Sequence, residues 1–467
     1  MQGNNVVKLV LSAATAVIFL YLAITQPIQG RMLGVVLVAL ITWSLYPERH
    51  LEAGLGVILL IAFFQASLNI DEFVQGLFTT YGGSGLWIIL SGFVLAKGME
   101  VSGLGRRVAL RIATSMGCKP HNIILAVASA SLALAPLSPS TTAKAFLVLP
   151  ICVGLVEAFD VKKGSRFGAG VMLMAMAGNN IASTGFLNAT VPNPISAQYL
   201  LGVGLSLSWI GWLKMAMPIT VLILIVAYFI LHFIIRPEIE YSEGSVEKVC
   251  KLRDSLGPLS HQELLTAGVF TVCLFLWMAE SVLPFNVGLL SFIVSLILLA
   301  PGLGVMEARG FSKTVPYGSI MLFAASLFLA RAVGKYHALD PVAKEFFNLI
   351  GVGGLGPSEF LIGVVVLAML LHVTFTSTTV YATVMIPIVL SLAELQGVSP
   401  GLVGLPVAFL APIAVILPVN TIPNLVFYKE GWFTEKQIVM YGVVLSIVSA
   451  ILVLFIGVPY WGYLGLV

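Results

Sequence analysis

Long apolar runs alternate with short polar segments along the whole chain. The runs lie at 9–24, 32–45, 54–68, 85–96, 122–156, 167–191, 208–235, 266–279, 287–299, 319–330, 360–393, 407–427 and 439–458. Their lengths bracket the roughly 20 residues that a helix needs to cross a bilayer. The pattern predicts an all-α polytopic membrane protein with about 11 transmembrane helices and two shorter re-entrant elements.

Two of the runs have the wrong length for simple crossings. The run from Asn122 to Val156 is too long for one span and too short for two, and its centre is rich in Pro, Ser and Thr. Division at that centre leaves arms of about 15 residues, roughly 22 Å long, which is short of a hydrocarbon core of about 30 Å. We therefore expect a re-entrant hairpin at about 122–156 and a second one, around Ser377, at about 360–393.

The charges beside the hairpins predict that they enter from opposite sides. Basic residues flank the first hairpin at positions 106, 107, 111, 119, 162, 163 and 166. By the positive-inside rule, both of its ends are cytoplasmic. The second hairpin is flanked by Glu359 and Glu394 and by few basic residues, so it should enter from the outside. Arg331, Lys335 and Lys344 fit this assignment poorly.

Two motifs occur twice in the same order, which indicates a duplicated architecture. Residues 138–151 and 375–388 both contain Ser-Thr-Thr followed by Pro-Ile, and residues 190–193 and 421–424 both read Thr-x-Pro-Asn. We expect two inverted repeats, at 1–235 and 264–467, with scaffold helices at about 9–68. The charged stretch 236–263 between them is predicted to be a solvated cytoplasmic linker.

Composition excludes several classes of function. Of the 467 residues, 59% are hydrophobic and 10% are charged, and the mean hydropathy is +1.03. Soluble enzymes, nucleic-acid binders and secreted scaffolds are therefore excluded. The sequence has no P-loop, metalloprotease or serine hydrolase motif and no central carboxylate in an apolar run, so a pump, an intramembrane enzyme and a carboxylate relay are not expected. The four scattered cysteines are expected to be reduced packing residues.

The tips of the hairpins are the candidate binding site. Irregular backbone at membrane depth is tolerated only where it is buried in protein or lines a wet cavity. Each Ser-Thr-Thr places three hydroxyls at a helix start, where free amides and the helix dipole favour an anion. Hydroxyl and carbonyl oxygens there could also hold a small cation, although Ser and Thr often only cap or pack membrane helices.

Lys144 and His372 are the ionisable residues nearest the tips. Lys144 follows Thr141 and Ser140 by three and four positions, so it shares their helix face and could attract an anion or take the place of a coupling cation. The alternative for Lys144 is snorkelling to the interface. His372 precedes Ser377 by five residues and could equally be a core histidine.

The tip motifs and the run Leu417–Phe427 resemble the divalent anion/sodium symporter (DASS) family over nearly the whole chain. The resemblance implies a homodimer in which each subunit has a scaffold domain and an elevator-type transport domain. It also implies that the tips bind a dicarboxylate-like anion, often with sodium. The substrate-binding residues that it implies here are Ser140, Thr141, Thr142, Lys144, Thr190, Pro192, Asn193, Ser377, Thr378, Thr379, Asn420, Thr421, Pro423 and Asn424. Sodium would be held by Ser140, Thr141, Ala189, Thr376, Thr378 and Asn420.

The chain departs from the family pattern at the middle tip residue. Where the family has Asn, both copies here have Thr, at 141 and 378, which removes an amide that typically serves both anion and sodium. Lys144 instead resembles the branch with citrate/succinate antiporters and plastid 2-oxoglutarate/malate translocators. The sequence therefore predicts an exchanger of small organic dianions in a bacterial plasma membrane, with no cofactor other than possible sodium. Sodium-coupled symport of a dicarboxylate, sulfate or sulfonate is the alternative, and an anion channel is less favoured.

Overall fold

Helices provide the architecture of the protein. The computed structural model describes residues 2–66, 69–117, 119–237, 243–254, 256–307, 312, 317–350 and 355–467. The helices before residue 236 are α1 Gln2–Thr25, α2 Ile28–Leu45, α3 His50–Ala66, α4 Ile70–Gly82, α5 Ser84–Ser102, α6 Leu104–Ser115, α7 Pro120–Leu134, α8 Thr141–Glu157, α9 Arg166–Thr184, α10 Pro192–Gly202 and α11 Trp209–Ile235. The later ones are α12 Glu243–Asp254, α13 His261–Met278, α14 Val287–Ser295, α15 Tyr317–Tyr336, α16 Asp340–Ile350, α17 Pro357–His372, α18 Thr378–Gln396, α19 Pro400–Leu410, α20 Ile422–Lys429, α21 Glu435–Leu452 and α22 Val458–Tyr463.

Eight helical stretches among the described residues are long and apolar enough to cross a membrane. Other apolar helices, such as Pro400–Leu410, are shorter than a full crossing. Besides the hairpin runs 122–156 and 360–393, two further apolar runs of the sequence are interrupted by irregular chain. The run at 167–191 ends its helix at Thr184, and the run at 407–427 has a break between Leu410 and Ile422. Both breaks precede a Thr-x-Pro-Asn motif, where Pro at the first helical turn starts a new helix.

Two pairs of helices have the arm-tip-arm form. The first hairpin consists of α7 and α8, and the chain between them, residues 135–140, is the first tip. The second hairpin consists of α17 and α18, and residues 373–377 are the second tip. Ser140 and Ser377 are the N-caps of the outgoing arms, and each hydroxyl accepts a hydrogen bond from the backbone N–H three residues later, at 3.1 and 3.4 Å. Each tip therefore ends where a capping residue starts the next helix.

The helix α9 is the centre of the packing around the first hairpin. Every one of its residues from Phe167 to Thr184 is buried. It packs against both arms of the first hairpin and against α11. Small residues and methionines dominate its sequence, which lets the neighbouring backbones approach closely. A helix with no exposed face can present polar groups only to other protein atoms.

The two halves of the chain cross over each other. The short helix α10 of the first half packs against α18 of the second hairpin, and the Tyr199 hydroxyl donates to the Thr383 carbonyl at 2.9 Å. Conversely, the short helix α20 of the second half packs against α8 of the first hairpin and against α9. Each Thr-x-Pro-Asn helix therefore contacts the hairpin of the opposite half.

Glu263, the last residue of the predicted linker, is buried, although residues 257–262 before it are exposed. Arg107 and Glu263 are each 5% exposed and form a two-bond ion pair, with Nε to Oε1 at 2.6 Å and Nη2 to Oε2 at 3.0 Å. The guanidinium also donates to the carbonyls of residues 256, 257 and 258. These bonds compensate the desolvation of both charges, which is why they can be buried. Elsewhere in the linker, Glu247 and Lys251 form an exposed ion pair as expected of solvated chain.

The cysteine prediction is only partly right. Cys152 and Cys273 are free and buried. Cys250 is disulfide-bonded, so the prediction of a reduced thiol was wrong there. Cys118 lies outside the described residues.

Candidate functional site

Lys144 lies at the first tip and its ammonium is enclosed by oxygen atoms. Nζ donates to the Ser183 hydroxyl at 2.7 Å, to the Ala189 carbonyl at 2.8 Å and, more weakly, to the Ala135 carbonyl at 3.4 Å. The residue is 4% exposed, so the side chain does not snorkel to an interface. Three oxygens around one cation match the three donors of an ammonium group. The charge thus connects the first tip to α9 and to the loop before α10.

At the second tip the nitrogen donor is an amide and comes from the segment before the Thr-x-Pro-Asn helix. Asn420 is the position of the second motif that matches Ala189, and its Nδ2 donates to the carbonyls of Val373 and Phe375, both at 3.1 Å. Its Oδ1 accepts from the Leu417 N–H at 2.8 Å. At both tips, carbonyl oxygens of the irregular chain are engaged by a nitrogen donor of this protein.

The two Thr-x-Pro-Asn asparagines make the same contacts. Asn193 Nδ2 donates to the carbonyls of residues 183 and 186, both at 2.8 Å. Asn424 Nδ2 donates to the carbonyls of residues 414 and 417, at 2.7 and 3.1 Å. The acceptors precede the asparagine by ten and by seven residues in each case. The sequence repeat is therefore accompanied by the same pair of donor bonds in both halves, although Asn193 Oδ1 has no hydrogen-bond partner among the described residues.

Two adjacent asparagines on α9 connect the two hairpins. Asn179 Nδ2 donates to the Thr141 carbonyl at the first tip, at 2.9 Å, and Asn180 Nδ2 donates to Asn424 Oδ1, also at 2.9 Å. Asn424 lies a few residues after Asn420, which holds the second tip. Within the described ranges, no hydrogen bond joins residues 138–144 directly to 375–381, so the connection runs through α9 and α20.

The threonine hydroxyls are the tip groups left for a ligand. Thr142 is half-buried and Thr379 is buried, and among the described residues neither side-chain hydroxyl has a protein hydrogen-bond partner. Thr141 and Thr378 are half-buried at the first helical position. Thr421 instead caps α20 by accepting from the Asn424 N–H at 3.2 Å, and Thr190 is buried. Pro192 and Pro423 are buried in the first turns of their helices.

The oxygens expected to hold sodium are largely engaged. Ser140 Oγ and the Thr141 carbonyl accept hydrogen bonds, and the Ala189 carbonyl accepts from the Lys144 ammonium. At the second tip Asn420 Oδ1 accepts from a backbone N–H, whereas Thr376 is exposed and Thr378 half-buried. A sodium ion at the first tip would have to share Ala189 with a fixed positive charge, which Coulomb repulsion disfavours.

A large cavity reaches the first tip. It has a volume of about 790 Å³, is lined by α5, α6 and both arms of the first hairpin, and includes Ser138, Ala143 and Lys144. A second cavity of about 790 Å³ lies between α10, α15 and α18, and its lining contains no residue of the second tip.

His372 is packed rather than presented to either large cavity. Its ring stacks on Tyr381 with centroids 4.1 Å apart, and it is 9% exposed. Among the described residues its Nε2 has no hydrogen-bond partner, and the residue lines a small cavity together with Val373 of the second tip and Asn420.

Sequence reasoning missed the polar residues of α9. Asn179, Asn180 and Ser183 lie inside the apolar run 167–191 and belong to neither repeated motif. The signal was present, because two adjacent asparagines within an apolar run must find partners when buried.

Comparison with known proteins identifies the family. A family model described as the sodium:sulfate symporter transmembrane region matches residues 4–467. The chain belongs to the DASS family. Its members are membrane carriers and not enzymes, and the eight apolar helices agree with a multi-pass integral membrane protein. Because its relatives are bacterial, a plasma-membrane location fits.

Three relatives have similar length. A membrane protein of Cupriavidus necator is 25% identical over 474 residues, covering 97% of this chain and 92% of that protein. The citrate/succinate antiporter of Escherichia coli K12 is 25% identical over 396 residues, covering 81% and 79%. The sodium-dependent dicarboxylate transporter SdcS of Staphylococcus aureus USA300 is 27% identical over 401 residues, covering 80% and 76%.

A solved transporter has a related fold. The YdaH transporter of Alcanivorax borkumensis, whose structure revealed an unusual topology, superimposes with a TM-score of 0.52 at 15% identity, covering 85% of this chain and 90% of that one. The similarity concerns the fold alone. The recognition of a DASS carrier from the tip motifs is thus confirmed by the family match.

Proposed function

We propose that this DASS-family protein exchanges small divalent organic anions, di- or tricarboxylates, across the membrane without sodium. Two similar proteins are named as a citrate/succinate antiporter and a sodium-dependent dicarboxylate transporter, which supports the substrate class. The observation that carries the exchange mode is the ammonium of Lys144, held at the first tip by Ser183, Ala189 and Ala135.

A fixed ammonium changes the energetics of the empty carrier. A dianion that crosses low-dielectric surroundings needs a positive charge beside it. A cationic side chain supplies that charge without any bound coupling ion. Unlike sodium, this charge cannot be released on the far side. The empty carrier would have to move an uncompensated buried cation, whereas the loaded one moves a compensated site. Return should therefore require an anion, which is obligate exchange.

The remaining parts of the transport model are proposals of the same kind. We place the anion between the two tips, with Thr142 and Thr379 as hydrogen-bond donors. The hairpins, α9 and the Thr-x-Pro-Asn helices would move as one elevator-type transport domain, since side-chain hydrogen bonds link these elements. The scaffold would include the helices at about 9–68 and the homodimer contact. The two inverted repeats supply the two symmetric access routes.

Sodium-coupled symport remains the second candidate because one relative carries that name. The nitrogen donors at both tips disfavour it, since they engage the carbonyls that a sodium ion would use. A channel is disfavoured because it has no need of two hairpins.

Counterflow in proteoliposomes tests the proposal. Labelled succinate, citrate, 2-oxoglutarate, malate and sulfate are offered outside vesicles that contain the same unlabelled anion or none, in sodium or choline medium. We expect saturable uptake of a dicarboxylate or citrate that needs internal anion and is equal in both media. Net uptake driven by sodium and indifferent to internal anion would refute exchange.

Removal of either free tip hydroxyl should weaken substrate binding. For Thr142→Ala and Thr379→Ala we expect binding to be weaker by roughly 1 to 3 kcal/mol each, the cost of a lost hydrogen bond to a charged group. The affinity is measured from the inhibition of counterflow by increasing concentrations of the unlabelled anion. Thr271→Ala is the matched control, because its hydroxyl is exposed and donates to the Ala267 carbonyl on α13, outside both tips. Wild-type affinity in either tip variant would exclude a site shared by both tips.

A further inference from the structure

The cavity that reaches the first tip carries a net positive charge. Its charged lining residues are Glu100, Arg106 and Lys144. Glu100 is already paired, because its Oε1 lies 2.7 Å from Lys97 Nζ. Arg106 and Lys144 therefore leave the lining positive.

Arg106 is the one of these two cations that is accessible. Lys144 is buried and donates to three oxygens, whereas Arg106 is exposed and, within the described part of the chain, has no hydrogen-bond or ion-pair partner. The next residue, Arg107, is the buried partner of Glu263. Adjacent arginines on α6 thus have opposite roles, one holding the linker and one facing the cavity.

Only one of the two large cavities connects solvent with a tip. The cavity with Arg106 includes Ser138 of the first tip and Lys144 in the helix that follows it, whereas the cavity with Arg331 includes no residue of the second tip. Arg106 belongs to the basic flank that the positive-inside rule places in the cytoplasm. The conformation therefore gives the first tip access from the cytoplasmic side.

We propose that this cavity is the cytoplasmic access vestibule for a small dianion and that Arg106 is the residue that recruits the anion into it. The proposal rests on the proposed function for the identity of the anion, but the charge of the vestibule does not depend on it. A cleft lined by one sign of charge with apolar walls raises the local concentration of the opposite ion. Arg106 is thus a positioning residue for substrate capture on one face of the membrane.

Charged thiol reagents test the vestibule without any substrate. Ala143→Cys places an exposed thiol in the lining, and the reaction rates of the anionic methanethiosulfonate ethylsulfonate and its cationic ethylammonium analogue are measured in inside-out membrane vesicles. The rate of the anionic reagent is divided by that of the cationic one, and the result is divided by the same ratio for free cysteine. This normalised ratio does not depend on the intrinsic reactivity of the thiol. We expect it to favour the anion about tenfold. Gly154→Cys is a second probe position in the same lining, with open space around its Cβ.

Arg106→Gln should bring the normalised ratio close to one. Arg111→Gln removes the same charge from an exposed position on the same helix that does not line the cavity, so it should leave the ratio unchanged. An unchanged ratio in Arg106→Gln, or equal reaction from right-side-out vesicles, would overturn the vestibule.

Transport kinetics distinguish this proposal from the proposed function. For the anion that counterflow identifies, Arg106→Gln should raise KM at the cytoplasmic face about tenfold with little change in kcat and none at the outer face, and Arg106→Lys should restore it. If the unmodified protein exchanges anions but Arg106→Gln raises KM equally at both faces, the vestibule is wrong and the proposed function stands. If the normalised ratio favours the anionic reagent but the protein does not exchange anions, the proposed function is wrong and the vestibule stands.

Discussion

Exchange should fall by about a hundredfold or more when Lys144 is replaced by Ala. The substitution removes a buried charge and leaves oxygens of Ala135, Ser183 and Ala189 without their donor. Each buried acceptor left without its donor costs about 1 to 3 kcal/mol, and each 1.4 kcal/mol is a factor of ten. The vacated space is lined by oxygens, which are the ligands that hard cations prefer. We expect sodium to substitute for the ammonium, so that exchange becomes dependent on an added cation.

The assay compares counterflow of Lys144→Ala in sodium, potassium and choline media. Lys214→Ala is the matched control, because Lys214 is an exposed lysine on another apolar helix, α11. Thermal unfolding in detergent shows whether the variant is folded. Wild-type exchange of folded Lys144→Ala in choline would contradict the role assigned to the fixed charge.

Replacement of Asn424 by Ala should destabilise the protein and abolish exchange. It leaves the carbonyl of Ala414 and the amide of Asn180 unpaired in the interior, whereas the Leu417 carbonyl keeps the Asn420 N–H as a donor. At about 1 to 3 kcal/mol for each buried group left unpaired, the cost is at least about 2 kcal/mol. Thermal unfolding and counterflow measure the two effects.

A double-mutant cycle isolates the bond between the halves. Asn180→Ala, Asn424→Ala and the double variant should give a coupling energy of about 0.5 to 3 kcal/mol. Asn424→Asp keeps the acceptor for Asn180 but loses both donor bonds, so it should retain the coupling while losing stability. Additive effects would show that the bond at 2.9 Å does not connect the two halves energetically.

The sequence was sufficient for the fold class and for the location of the tips, for identifiable physical reasons. Polar backbone groups in lipid must be paired within a helix, so a long apolar run indicates a membrane helix. The Pro, Ser and Thr residues from Pro136 to Thr142 mark a helix break and a capping residue, and both are present in the structure. Two copies of each motif made the candidate residues stand out from ordinary capping residues.

The partners of those residues could not be predicted in the same way. The acceptor of Lys144 on α9 is 39 residues away along the chain, and the partner of Asn180 is 244 residues away. No local pattern encodes which helix faces which tip, because packing between helices decides it. The burial of Glu263 was missed for the same reason, since a charge in a polar linker gives no sign of a distant arginine.

The buried ion pair has a consequence for biosynthesis. Arg107 and Glu263 are separated by 156 residues. At about 5 to 20 residues per second, a ribosome needs roughly 10 to 30 seconds to add the carboxylate after the guanidinium. During that interval Arg107 has no counterion, so α6 cannot settle into its final place in the interior. The amino-terminal half should therefore remain incompletely packed, and susceptible to quality-control proteases, until the chain beyond the linker has been synthesised.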